Sequence, residues 1–337
     1  MKKIFFLLLV AIVLVSCGST TKQPKLYNEI GKALGTTYSI LYIAPKKNET
    51  LEKGLDSIFE VINNSMSTYI ATSDISKINR GDTNVKVDDM FVDVFTLSKK
   101  IHKVSKGNFD PTVGVLVNAW GFGPQMGIKQ MTPKVVDSLM QYVGFDKVDL
   151  KNNKSIQKTN PNVYLDFNAI AKGYCLDRIA VYLDGKSIDN YLIELGGELV
   201  AKGSKIDKNT PWTVGIDDPN QTTERTLVTT LKLKDKAMAT SGNYRKFRVD
   251  SLTGKKYVHT IDPFTGYTKP SDILSASVIA NNCATADGYA TSFMAMSLEQ
   301  TKAVLKTQPL DAYIIYSDIS GNLKTYITSG FQALINE

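Results

Sequence analysis

The apolar residues of this chain follow three kinds of pattern, and each predicts a different element. The first is a continuous run of 12 residues, Ile4 to Val15, preceded by Lys2-Lys3. It is too short to span a bilayer as a mature helix and has the layout of an export signal. The second is helical spacing. Leu51, Leu55, Ile58, Phe59 and Ile62 mark one amphipathic helix, and Phe91, Val94, Phe95 and Ser98 mark another that stops at Gly107. Thr72 to Ser76 reads as the cap of a short helix between them. Asp110 can cap a further helix with Pro111 in its first position, where no N–H is needed. Val113, Leu116 and Val117 carry that helix on to Ala119. Thr132-Pro133 starts one more, with Val136, Leu139, Met140 and Val143 inward and Gly144 as its stop.

The third pattern is strand-like. Leu26 to Ala44 reads as two strands broken at Leu34-Gly35. Tyr191 to Leu195 and Glu198 to Ala201 flank Gly196-Gly197, a tight hairpin. Trp212 to Ile216, Leu227 to Leu233, Ala237 to Thr240 and Ser275 to Ala280 are further strands, with Ser241 to Tyr244 as a turn. Phe247 to Val249 and Tyr257 to Ile261 flank another turn at Thr253-Gly254, and a last hairpin folds around Ser320-Gly321. Ala284 to Met296 and Leu298 to Lys306 are helices. Helices and strands cluster rather than alternate, and no linker or repeat divides residues 26–337. The expected fold is therefore α+β, one elaborate domain with mixed or antiparallel sheets and flanking helices.

One stretch joins the two patterns. Tyr164 to Asp177 reads Y-L-D-F-N-A-I-A-K-G-Y-C-L-D, a strand end running straight into a helix. Asp166 and Asn168 can cap the first turn, and Ile170, Tyr174, Cys175, Ile179 and Leu183 recur at helical spacing. Such a helix start favours anions, and Lys172 adds a positive charge. A carboxylate at Asp166 then needs a metal or a ligand N–H donor beside it. A capped structural helix reads the same residues without a ligand.

Composition narrows the function classes. The 337 residues carry a formal charge of +7 with scattered lysines, which does not imply nucleic acid. There are three cysteines. Cys17, in Leu14-Val15-Ser16-Cys17-Gly18, matches a bacterial lipoprotein signal. Residues 1–16 would be the leader, and 17–25 a lipidated cysteine with a polar tether. The mature protein would then be held by its acyl chains in the cell envelope, outside the cytoplasm and on the periplasmic side. Cys175 and Cys283 sit in apolar contexts and are expected as buried free thiols. No His/Cys set has zinc spacing, and no CxxC, G-x-S-x-G or phosphate-cradling G-x-x-x-x-G-K-S/T is present.

Candidate chemistry is sparse. Of the two histidines, His102 lies among lysines and reads as solvated, whereas His259 precedes a Pro-fixed loop and can serve as a general base or ligand contact. Asp287 and Thr291 are four apart, hence on one helical face, and can share a hard cation. Asp287 also suits a helix N-terminus without any metal.

Taken in order, L-G-T-T-Y (34–38), M-S-T-Y (66–69), N-F-D-P-T-V-G (108–114), W-G-F-G-P (120–124), L-D-F-N-A-I-A-K-G-Y (165–174), E-L-G-G-E (194–198), T-S-G-N-Y (240–244), H-T-I-D-P-F-T-G (259–266) and T-A-D-G-Y-A-T (285–291) resemble the ApbE family of flavin transferases. The resemblance implies an ApbE, T-fold-like domain that binds FAD as substrate with Mg²⁺. It transfers FMN to a Thr or Ser hydroxyl of a partner protein, expected to be a membrane redox protein, through a phosphoester, and releases AMP. It further implies flavin contacts at Leu34, Tyr69, Asn108, Phe109, Asp110, Asp166, Lys172 and Ile261. The metal would be held by the Ala169 backbone oxygen, Asp287 and Thr291, with His259 and Asp287 at the chemistry. Leu34 stands where the family often has Met, and Ala290 where some members have an acid. Two other readings use the same residues: a Mg-dependent FAD pyrophosphatase giving FMN and AMP, and a lipid-anchored FAD carrier without turnover.

Overall fold

The structure, a computed structural model, describes residues 23–205, 210–218, 226–243, 247–249, 256–268 and 272–336. The expected leader, Cys17, Tyr244 and the Thr253-Gly254 turn lie outside these residues. The chain begins with β1 (Lys25–Ala33) and β2 (Thr36–Ala44). Five helices follow: α1 (Leu51–Met66), α2 (Asp74–Asn79), α3 (Asp89–Val104), α4 (Gly114–Ala119) and α5 (Pro133–Met140). A small hairpin, β3 (Val148–Leu150) with β4 (Ile156–Lys158), leads to α6 (Ala171–Gly185). Next come β5 (Tyr191–Leu195), β6 (Glu198–Lys202), β7 (Trp212–Asp217), β8 (Leu227–Leu233), β9 (Lys236–Gly242), β10 (Phe247–Val249), β11 (Lys256–Val258) and β12 (Ile273–Ala280). The chain ends with α7 (Cys283–Ala295), α8 (Leu298–Leu305), β13 (Asp311–Ser317), β14 (Leu323–Ile327) and α9 (Ser329–Gln332).

Eight strands form one sheet in the order β1-β2-β5-β6-β9-β12-β13-β14, antiparallel at every pairing. Two of its turns follow directly from their residues. Leu34 (φ 49°) with Gly35 (φ 75°), and Gly196 (φ 60°) with Gly197 (φ 99°), are two-residue connections with both φ values positive. That geometry matches the right-handed twist of the flanking strands. At Leu34 it costs about 1–2 kcal/mol, because the Cβ crowds the backbone there.

Successive side chains of a strand point to opposite faces, and here both faces are buried. Tyr42, Ala239, Val278 and Ile314 enter the main core, with Phe59, Phe91, Leu176 and Phe293 from α1, α3, α6 and α7. Their neighbours Ile43, Met238, Ile279 and Ile315 enter a second core, closed by Trp212 and Leu231 of the β7–β8 hairpin and Phe331 of α9. A third, smaller cluster joins Leu116, Trp120, Val136, Val143 and Ile261. Among the described residues no helix is long and apolar enough to cross a membrane.

Four expectations are corrected. Asp110 does not cap α4, which begins at Gly114. Its Oδ1 accepts the Thr112 N–H (2.7 Å) and hydroxyl (2.6 Å), and its Oδ2 accepts the Phe145 N–H (3.0 Å). Asp166 and Asn168 do not cap α6, which begins at Ala171 without a side-chain cap. The turn expected at Ser241-Gly242 is the end of β9. His102 is only partly solvated, since its Nδ1 lies 2.8 Å from the Phe109 carbonyl and its ring meets Phe145 edge-on. Cys175 and Cys283 are free and buried, as expected, and burial raises both thiols.

Candidate active site at the crossing of α6 and α7

The segment before α6 is held by long-range backbone contacts. Asn79 at the end of α2 donates to the Leu165 carbonyl and accepts the Leu165 N–H, both at 2.8 Å. The Asp166 N–H donates to the Pro111 carbonyl at 2.8 Å. Asp166 Oδ1 then accepts the Asn168 N–H at 2.7 Å, closing a turn of the kind Asp side chains favour. Asn168 reaches Thr68 Oγ1 at 3.4 Å, which ties the turn to the loop carrying Tyr69. Tyr69 is 61% exposed. Its phenol is raised first by partial burial and then by the charges of Asp166 and Tyr164. Burial likewise pushes the Asp166 carboxyl up.

One turn further on, α6 meets α7. Gly173 sits at the contact: a Cβ there would stand 2.4 Å from the Cys283 carbonyl oxygen and 2.8 Å from Asp287 Cβ. The start of α7 is fixed from both sides. Asn282 caps it through the Thr285 N–H, and Asp177 of α6 accepts the Cys283 N–H (2.7 Å) and the Ala284 N–H (2.9 Å). This places Asp287, 3% exposed, against the first turn of α6.

The Gly173 N–H donates to Asp287 Oδ2 at 3.0 Å rather than back to the Ala169 carbonyl four residues earlier. The Ala169 carbonyl is therefore left without its helical donor in the first turn of α6. Thr291, one turn along α7 from Asp287, lies on the same face and contacts Ser241 of β9, Oγ to Oγ1, at 3.2 Å. A carbonyl, a carboxylate and a hydroxyl are the hard oxygen donors that suit Mg²⁺, which completes its shell with water and substrate oxygens. Among the described residues no group of three or more His, Cys, Asp or Glu gathers as a metal cluster, so this donor set rests on one carboxylate.

Lys172 lies beside it. Its Nζ bonds Glu198 Oε1 and stands 3.9 Å from Asp287 Oδ2. Burial opposes the charge on Lys172, but Asp287 and then Glu198 outweigh it, and the ammonium is held above its usual range. Burial pushes the Asp287 carboxyl upward; Lys172 opposes that rise and Glu198 adds to it.

The remaining expected residues divide into two groups. His259 follows β11 and faces Phe122, with ring centroids 6.5 Å apart. Its neighbour Thr260 is anchored by its hydroxyl on Asn243 Oδ1 at 2.9 Å. Leu34 occupies the strained β1–β2 turn, at the sheet end where β6 begins. The side chains of Asn108, Phe109, Asp110 and Ile261 are buried and engaged internally. Asn108 donates to the Ser105 carbonyl (2.8 Å), Phe109 is in the main core, and Ile261 is in the third cluster. A groove of about 630 Å³ on another face of α6, lined by Tyr174, Asp177, Tyr191 and Lys202, contains none of the expected residues.

The sequence model of the ApbE family matches residues 34–314. The chain belongs to the ApbE family. It is 33% identical to the FAD:protein FMN transferase of Haemophilus influenzae, covering 99% of both chains. It is 32% identical to that of Vibrio cholerae, covering 97% of each. Among solved structures, the flavin transferase ApbE from Vibrio cholerae superposes with a TM-score of 0.82 at 31% identity, covering 92% of this chain and 99% of that one. The ApbE protein of Thermotoga maritima superposes with a TM-score of 0.80 at 26% identity, covering 93% and 100%.

Two residues of this ApbE chain take part in the site without having been expected there. Ser241 looked like a turn residue, and its strand partner Ala276 lies 35 positions on. Glu198 looked like the first residue of a hairpin strand. The available signal was its place in E-L-G-G-E, where the positive-φ glycines turn it inward to Lys172.

Proposed function

We propose that this ApbE protein transfers the FMN half of FAD to a Thr or Ser hydroxyl of a partner protein. The observation that carries the reading is the α6–α7 crossing, where the Gly173 N–H turns from the Ala169 carbonyl to Asp287, Lys172 stands 3.9 Å from that carboxylate, and Thr291 follows one turn along α7. Mg²⁺, held by those three oxygens, would neutralise charge on the pyrophosphate and on departing AMP. The acceptor hydroxyl oxygen bonds to the phosphorus bearing the riboflavin half, and the anhydride bond to AMP breaks. His259 takes the hydroxyl proton. Lys172 faces the phosphates, and Tyr69 offers an exposed ring to stack on the flavin or adenine. Asp166 supplies a half-buried carboxyl oxygen as acceptor for a ring N–H.

Location completes the proposal. Cys17 carries the lipid, residues 18–25 act as tether, and the domain works at the membrane surface of the cell envelope on a membrane redox protein. Replacing Cys17 with Ala would release the protein from the membrane fraction; retention there would overturn the anchor.

The decisive experiment gives the protein FAD, Mg²⁺ and a Thr-bearing acceptor domain and weighs the acceptor. A gain equal to FMN less water, abolished by chelation, supports transfer. Free FMN and AMP with an unchanged acceptor would establish a pyrophosphatase instead. Bound FAD with no product would establish a carrier.

A further inference from the structure

Two buried carboxylates face a single ammonium at the α6–α7 crossing, and they do not share it equally. Lys172 bonds Glu198 Oε1 and stands 3.9 Å from Asp287 Oδ2. Glu198 is 4% exposed, and its other oxygen, Oε2, is buried without a hydrogen-bond partner. Among the described residues, Lys172 is the only group that donates to this carboxylate. Asp287, by contrast, also accepts the Gly173 N–H at 3.0 Å. If Lys172 left Glu198, a buried charge would be stranded, which is the costly way to break such a pair. The ammonium therefore stays with Glu198, and Asp287 stays available.

We propose that Glu198 is a positioning residue of the metal site, holding the Lys172 ammonium away from Asp287 so that Asp287 can take a divalent cation. The inference rests on the metal reading above. With both carboxylates ionised, the three side chains carry one net negative charge. A dication turns that into one net positive charge, facing a pyrophosphate. Without Glu198, Asp287 is the nearest counter-ion for Lys172. A side-chain rotation of about 1 Å then brings the ammonium to charge-assisted hydrogen-bond distance, where it competes with the cation.

The test is a Mn²⁺ titration of the full-length protein followed by electron paramagnetic resonance, with thermal unfolding as a check on folding. Glu198→Gln, which keeps the shape, is expected to weaken Mn²⁺ binding by ~10–100-fold, the usual effect of removing a partner behind a metal ligand. Lys172→Met alone should not weaken it. Glu198→Gln combined with Lys172→Met should return the affinity to within a few-fold of the parent, because the competing ammonium is gone. Parent-like affinity in Glu198→Gln overturns the inference, as does a loss that Lys172→Met fails to rescue in a protein that still unfolds cooperatively. Asp287→Asn separates the two levels. If it binds Mn²⁺ as the parent does, the metal reading itself fails; if it does not bind, only the role of Glu198 is being judged.

Discussion

Gly173→Ala tests whether the close approach of α6 and α7 is what builds the site. The new Cβ would stand 2.4 Å from the Cys283 carbonyl oxygen, about 1 Å inside ordinary contact, and that oxygen is backbone. α7 cannot slide aside freely, because Asp177 of α6 holds its first two N–H groups. Overpacking of this kind costs ~1–3 kcal/mol. Alanine returns about 1 kcal/mol of helix propensity over glycine. The net loss is then about 0–2 kcal/mol, a fall in Tm of several degrees at most. Catalysis should suffer far more, since a misplacement of about 1 Å at reacting groups can cost ~10²-fold. Gly288→Ala is the matched control. It lies next to Asp287, but its one close contact would be the end of the Ile101 side chain, at 2.5 Å, which can rotate, with Ile170 Cδ1 at an ordinary 3.5 Å. The assay pairs thermal unfolding with the rate of acceptor mass gain. Gly173→Ala transferring FMN at the parent rate, or both variants losing activity equally, would refute the reasoning.

Three further outcomes are expected. Asn79→Ala strips two 2.8 Å bonds from the Leu165 backbone and should destabilise by about 2–3 kcal/mol while weakening FAD binding; unchanged unfolding and FAD titration would show that the clamp is dispensable. His259→Ala should lower turnover by ~10²–10⁴ with a smaller change in FAD affinity, and the reverse split would make His259 a binding residue. Burial pushes the Asp177 carboxyl up to about 6, against the pull of the Ala284 and Cys283 N–H groups. Between its ordinary range and pH 6 the folded protein keeps a proton that the unfolded chain has released. That stabilisation is lost as pH rises through the window, by up to about 3 kcal/mol. Asp177→Asn should flatten the dependence of Tm on pH from 4 to 6, and identical slopes would contradict it.

What could be read from sequence was what is local. Leu34-Gly35 and Gly196-Gly197 announced hairpins because positive φ is a property of the turn residues themselves. Thr132 caps its helix through the N–H three residues on. The misses are residues whose partners are remote. Asp110 looked like a cap until Phe145, 35 residues away, claimed its second oxygen. Asp166 looked like a cap until Pro111 fixed its N–H. His102 looked solvated because lysines flank it, while Phe109 and Phe145 cover it in space. Glu198 needed Lys172, 26 positions earlier, to become more than the first residue of a strand. The three-residue strands β3 and β4 are too short to show a period at all.

The bond between Gly173 and Asp287 spans 114 residues of sequence, and this sets when the site comes into being. A chain ending before Cys283 could pair six of the eight sheet strands, yet it would contain neither Asp287 nor Thr291. Contacts of such separation form late, because the intervening loop must close before they return any stability. Chains of this size also pass through partly packed intermediates. A half-made or clipped copy ending before α7 would lack both of the side chains proposed above to hold the cation. On that proposal, completion of α7 would be the step that gives the folded sheet its activity.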